Sequence, residues 1–160
     1  MPTITNGDDM EAYKAKVLII DDDPKTREVL QAVIVRDGHT VDTAGCGVDG
    51  ILFAERTPPD IILLNLFLPD VNGMEVCRKL RRNHATRSIP VIMMTGIFVE
   101  DVKVDCLSAG ATEFITKPID PTEIRVRVRN LAMFNAVARA KMEWEGSMDC
   151  VRDMVILVDE

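Results

Sequence analysis

Apolar residues fall into short unbroken runs along this chain, separated by longer stretches of mixed polarity. The clearest runs lie at 16–20 (KVLII), 61–64 (IILL) and 90–94 (PVIMM). Short, β-branched runs bounded by turn residues predict strands buried on both faces, as in a parallel sheet. Two weaker segments, 40–44 (TVDTA) and 113–116 (EFIT), complete a set of strands. Between them the spacing predicts helices over about 24–37, 48–56, 73–84 and 99–109, and a last one over about 121–145. Asp23 is placed as the first helix's cap with Pro24 in its first turn. Val29, Leu30 and Val33 are its predicted inner face, and Asp37-Gly38 its end. Five strand-then-helix units in a row predict an α/β chain with a parallel sheet covered on both faces by right-handed crossovers.

The last helix carries a stripe of Ile124, Val128, Leu131, Phe134, Ala138 and Met142, and its length exceeds what a sheet edge covers. Its overhang should therefore meet a following domain or a partner helix. Beyond Gly146-Ser147 the apolar run 154–158 reads as a strand opening a further domain. The expected organisation is a flexible leader at 1–14, a globular domain at 15–132 and an extension at 133–160.

Charge narrows the partners. A formal net charge of -7 argues against an extended surface for nucleic acid or an anionic membrane. The local basic groups, Arg78 to Arg82 and Arg125, Arg127 and Arg129, read as solvated helix faces. Cys46, Cys77, Cys106 and Cys150 form neither a CxxC pair nor a zinc spacing, and read as reduced, mostly buried thiols. No apolar run reaches the ~18 residues that span a bilayer, and the polar, acidic amino terminus is unlike a signal peptide. A cytoplasmic protein is the expectation.

Candidate chemistry gathers where the strands end. In a five-stranded parallel sheet the carboxyl ends of the first, third, fourth and fifth strands lie close together, and here they present Asp21-Asp22, Asn65, Thr95 and Lys117. Paired acids beside a third oxygen ligand suit Mg²⁺. Thr95 offers a hydroxyl and Lys117 a positive charge to an anionic oxygen between them. This is a layout for handling a phosphoryl group.

Four segments in this order resemble the receiver domain of bacterial two-component response regulators: VLIIDDDP at 17–24, PDIILLNLFLPDVNG at 59–73, IPVIMMTG at 89–96 and GATEFITKPID at 110–120. The resemblance spans about residues 15–132. It implies a doubly wound, flavodoxin-like fold with strand order 2-1-3-4-5, acting in phosphorelay signal transduction and not as an enzyme. It also implies that Asp22 binds Mg²⁺ directly and Asp21 mainly through water, with the Phe67 backbone carbonyl as a further ligand. Thr95 and Lys117 match the residues that hold the phosphoryl oxygens, and Phe114 the aromatic that moves with Thr95 on activation. Pro118 matches a proline usually preceded by a cis peptide. The implied partners are a cognate sensor histidine kinase or phosphotransfer protein, and an output domain or second copy docked on the face of the fourth helix, fifth strand and fifth helix.

One position departs from the family. Where receivers carry the phosphoacceptor aspartate, this chain has Asn65. A carboxylate oxygen can attack phosphorus to give a mixed anhydride, whereas an amide has no anionic oxygen and its nitrogen lone pair is held in resonance. Losing one negative charge also weakens Mg²⁺ binding, although the amide oxygen remains a candidate ligand. Two origins fit: a natural pseudo-receiver that signals without aspartyl phosphate, or a replacement that locks an ordinary receiver in its unphosphorylated form. A constitutive dimerisation or tethering module with an inert pocket is the alternative. A phosphatase-like enzyme fits poorly, because no acid stands two residues after Asn65.

Overall fold

The computed structural model describes residues 14–97 and 100–158, with 149–158 described by backbone alone. The expected leader therefore lies almost wholly outside the described residues, as does the start expected for the fourth helix. Strands β1 (Lys16–Ile20), β2 (Thr40–Ala44), β3 (Ile61–Asn65), β4 (Val91–Thr95) and β5 (Glu113–Thr116) alternate with helices α1 (Pro24–Arg36), α2 (Gly47–Arg56), α3 (Gly73–Arg82), α4 (Glu100–Ser108) and α5 (Pro121–Val158). All strand pairs are parallel, in the order β2-β1-β3-β4-β5. Observed boundaries agree with the sequence reading to within a residue or two, except at α5.

The sheet explains the apolar runs. Every residue of β3 and β4 is buried, as is all of β1 after Lys16. Successive side chains point to opposite faces. Val17, Ile19, Ile61, Leu63, Ile92 and Met94 pack on one side against Leu30 and Ile34 of α1 and Ile124, Val128 and Leu131 of α5. Leu18, Ile20, Ile62, Leu64, Val91 and Met93 pack on the other against Ala54 of α2, Val76, Cys77 and Leu80 of α3, and Cys106 of α4. Cys77 and Cys106 are thus core thiols, and burial raises the pKa of both.

α1 starts as its sequence directs: the Asp23 carboxylate accepts from the Lys25 amide at 3.1 Å and from the Thr26 hydroxyl at 2.8 Å. It ends before Gly38, whose φ of +91° favours glycine. The expected inner face needs one correction. Leu30 and Ile34, four apart, are buried, whereas Val29 is 58% exposed. A residue adjacent to the buried row is turned about 100° from it, and at Val29 that turn leads to solvent.

α5 holds the larger correction. The segment 154–158 is helical, not a strand, because α5 runs unbroken from Pro121 to Val158. A short apolar run is compatible with either state, and a strand needs a neighbour to pair with. Continuing the helix satisfies each backbone group locally, and glycine at position 146 opposes it by only about 1 kcal/mol. The expected stripe is buried only at Ile124, Val128 and Leu131; Phe134 and Met142 are exposed. At 1.5 Å per residue, the helix is about 57 Å long, and its second half leaves the sheet behind.

Two tests follow from packing and burial. A Cβ on Gly73 would lie 2.5 Å from the Asn65 carbonyl oxygen and 2.9 Å from the Leu66 Cα, both backbone atoms. Gly73→Ala should therefore lower unfolding stability by about 1–3 kcal/mol in urea titrations, while Gly146→Ala, with open space around it, should not destabilise the fold. His39 is buried and its Nδ1 accepts from the Ala15 amide at 3.1 Å. Burial lowers the imidazole pKa, with Asp37 pulling weakly the other way. The native state therefore binds fewer protons than the unfolded chain, so stability is full above the ordinary histidine value of about 6.5 and declines as pH falls below it. Between about pH 7 and pH 5.5 the urea midpoint should fall more steeply for this chain than for His39→Asn, whose side-chain oxygen keeps the acceptor. Equal slopes would clear the imidazole of any part in it.

Candidate functional site

Parallel pairing sets the strand ends side by side. Ile20 lies opposite Leu64, Asn65 opposite Met94, and Thr95 opposite Thr116. The next residues after β1 and β5 are then Asp21-Asp22 and Lys117, so the fold brings Asp21, Asp22, Asn65, Thr95 and Lys117 to one edge, as expected. Phe114 is not part of that group. It pairs with Met93 in the body of the sheet and packs, half-buried, against the cluster under α2, α3 and α4.

Asp21 has no solvent exposure. One carboxylate oxygen accepts from Lys117 Nζ at 2.8 Å and the other from the Asp23 amide at 2.9 Å, while Arg27 Nη1 donates to its carbonyl at 2.6 Å. The ion pair spans from β1 to the residue after β5, so it bridges over the ends of β3 and β4. Lys117 also donates its backbone amide to the Thr95 carbonyl at 2.6 Å, and its bond to Pro118 is cis. Thr95 is buried, and its hydroxyl oxygen accepts from the Ile97 amide at 3.2 Å.

Asn65 closes the other half of the site. Its Nδ2 donates to Asp22 Oδ1 at 3.0 Å and to the Phe67 carbonyl at 2.7 Å. Both partners are acceptors, which fixes the nitrogen and not the oxygen on that side. The two oxygens tied by this amide are two of the three groups that the family resemblance assigns to Mg²⁺. As hard oxygen donors, Asp21, Asp22 and the Phe67 carbonyl have the chemistry Mg²⁺ requires. No cluster of three or more His, Cys, Asp or Glu side chains suited to a metal occurs among the described residues. Asn65 can offer its own oxygen only by turning its side chain and giving up both hydrogen bonds.

Several structural contacts in and beyond the site escape sequence reading. Cys46 makes no side-chain cap at the start of α2. Asp70, in the loop after β3, takes that role by accepting from the Gly47 and Val48 amides at 2.9 and 2.8 Å, which holds its carboxyl below the usual carboxylate range. Arg81 is no solvated-face residue, since it donates to the carbonyls of Gly110, Arg87 and Ile89. Arg125 and Arg127 do lie on a solvent-exposed helix face, where they pair with Asp37 and with Glu113 and Glu123. At the opposite end of β3, Asp60 accepts from the Lys16 amide and from Arg139, and its carbonyl accepts from Asn135. Most of these partners lie far away in sequence, so no local pattern announces them.

Comparison with known proteins agrees with this geometry. The profile of the response regulator receiver domain matches residues 17–129. The response regulator PleD of Caulobacter vibrioides is 36% identical over 133 residues, covering 83% of this chain and 29% of that protein. The alkaline phosphatase synthesis transcriptional regulatory protein PhoP of Bacillus subtilis is 34% identical over 149 residues, covering 90% of this chain and 61% of that one. The chain thus spans less than two thirds of these relatives. Among solved structures, the receiver domain of a Pseudomonas aeruginosa sensor histidine kinase, with a magnesium ion coordinated in its active-site cleft, superposes with a TM-score of 0.69 at 25% identity, covering 74% of this chain and 94% of that one. With these motifs, this strand order and this match, the chain belongs to the response regulator receiver domain family.

Proposed function

We propose that this receiver does not take up a phosphoryl group at residue 65 and works either as a fixed off-state or as a switch and interaction module independent of aspartyl phosphate. The observation that carries this reading is the Asn65 amide, donating to Asp22 Oδ1 and the Phe67 carbonyl. In the proposed assignment Asn65 occupies the phosphoacceptor position. Its nitrogen faces the metal-ligand oxygens, and it offers no carboxylate oxygen to attack phosphorus. Thr95 and Lys117 keep the positions from which a phosphoryl group would be held, and Phe114 that of the aromatic that moves with Thr95.

Mg²⁺ would be held by Asp22, by Asp21 through water, and by the Phe67 carbonyl, with Asn65 contributing only its oxygen. When bound, the ion neutralises charge on phosphoryl oxygens. Its affinity is lowered, because the amide supplies no charge and must first break two hydrogen bonds.

The partners proposed are a cognate sensor histidine kinase or phosphotransfer protein and an output domain or second copy at the face of α4, β5 and α5, all in the cytoplasm. No nucleic acid or membrane contact is assigned to residues 15–132, and no helix among the described residues is long and apolar enough to cross a membrane. Residues 133–160 are proposed as the extension that leads to such an output. The second reading, a tethering module with an inert pocket, is favoured by the same extension, whose Phe134, Val137 and Trp144 are exposed.

Incubation with Mg²⁺ and a small phosphodonor tests the chemistry. Asn65→Asp should take up acid-stable, base-labile label while this chain takes up none. Label at Asn65 would overturn the reading, and label on neither chain would favour the inert module. Mg²⁺ supplies an independent measurement. Without the ion, Asn65→Asp places a third carboxylate against Asp22 and the Phe67 carbonyl, so its melting temperature should lie below that of this chain. Saturating Mg²⁺ should raise the melting temperature of the aspartate variant by several degrees and leave this chain nearly unchanged. Equal shifts for the two would refute the weakened site.

A further inference from the structure

The exposed half of α5 carries a second periodicity, distinct from the stripe that packs on the sheet. Positions 134, 137, 141, 144, 148, 151, 155 and 158 step by three and four residues alternately, and they read Phe, Val, Lys, Trp, Met, Val, Val, Val. Only Lys141 is polar. A strict seven-residue repeat of apolar positions is the pattern that two helices bury between them when they supercoil. Within the described side chains, Phe134, Val137, Trp144 and Met148 are 71%, 64%, 65% and 51% exposed, and the helical backbone carries the same register on to Val158.

The seam points away from the protein's own domain. α5 is held to the sheet by Val128, Leu131 and Ala132 in the core and by Asn135 and Arg139 on Asp60. At 3.6 residues per turn, those positions lie roughly half a turn around the helix from the seam. Among the described residues the sheet domain therefore leaves this face uncovered, and the clamp at Asp60 fixes the helix so that the seam faces outward. A heptad seam is best matched by another helix carrying the same repeat, and a second copy of this chain supplies one of equal length. Phe134 and Trp144, each about two-thirds exposed, would in two copies bury roughly 400–700 Å², and the aliphatic positions of the seam bring the total towards the ~1,000 Å² expected of a specific interface. Lys141, paired along the helix with Glu145 at 4.0 Å, has a stem long enough to lie in the seam with its ammonium in water. A single cation at a core position also discriminates among registers and helix numbers.

We infer that residues 134–158 form a coiled-coil dimerisation seam that pairs α5 with α5 of a second copy. The pairing is independent of the chemistry at Asn65.

Sedimentation equilibrium of the full 160-residue chain across the micromolar range tests it. The chain should be a dimer, and Trp144→Glu should raise the dissociation constant by about 100-fold or more. Met142 is the control. It is 73% exposed and apolar but lies off the repeat, so Met142→Glu should leave the dimer intact. Because all these side chains are exposed, the urea midpoint of the sheet domain should be unchanged in each variant. A monomeric parent chain, a dimer indifferent to Trp144→Glu, or equal loss from Met142→Glu and Trp144→Glu would each overturn the inference. The second result would place pairing on another face, and the third would reduce the seam to a general apolar patch.

Discussion

A carboxylate without solvent exposure must be answered by a cation, and Asp21 is answered by Lys117 from the far side of the sheet. The requirement follows from the strands themselves. β1, β3 and β4 are buried on both faces, so a polar group in their bodies would meet no partner. Polar residues are confined to the strand ends, and at the carboxyl edge those ends lie close enough to satisfy one another. Asp21 with Lys117, and Asp22 with Asn65, are therefore the structural closure of the sheet as much as a candidate site. Lys117 is only partly exposed, and through this one contact β5 and β1 are tied across the two strands between them.

The same physics explains why so much was legible from the residues alone. Buried parallel strands leave unmistakable apolar runs, and the residues that interrupt them are the site. Local chemistry marks helix starts and stops, as with Asp23, Pro24 and Gly38. The candidate edge could be read because Asp21, Asn65 and Thr95 are each the first polar residue after an apolar run, with Asp22 and Lys117 close behind. Phe114 was the exception. Its place in the motif is clear, but β5 sets it in the body of the sheet, and whether such a side chain moves is not encoded by its position.

What could not be read was settled by contacts across long sequence separations. Asp70 caps α2 from the loop after β3, and Arg81, which reads in sequence as part of a solvated face, gathers three carbonyls from beyond α3. The run at 154–158 was ambiguous for a different reason. Five apolar residues specify burial but not periodicity, and whether they become strand or helix depends on what precedes them. α5 arrives already nucleated, so extension adds one hydrogen bond per residue while a new strand would need an edge to join. The overhang itself was legible; its second, heptad register became visible only once the helix was known to be continuous.

In the proposed reading, Asn65 changes what the strand ends can transmit. With an aspartate there, Asp21, Asp22 and residue 65 would crowd three negative charges against the single positive charge of Lys117, and the pocket would need a divalent ion to relax. The amide removes one charge and places its N–H groups on the oxygens such an ion would bind. The pocket is then internally satisfied without metal or phosphate. At the opposite end of β3, Asp60 joins the start of β1 to Asn135 and Arg139 of α5. In the proposed reading the link between domain and extension is this clamp, at the end of β3 remote from residue 65.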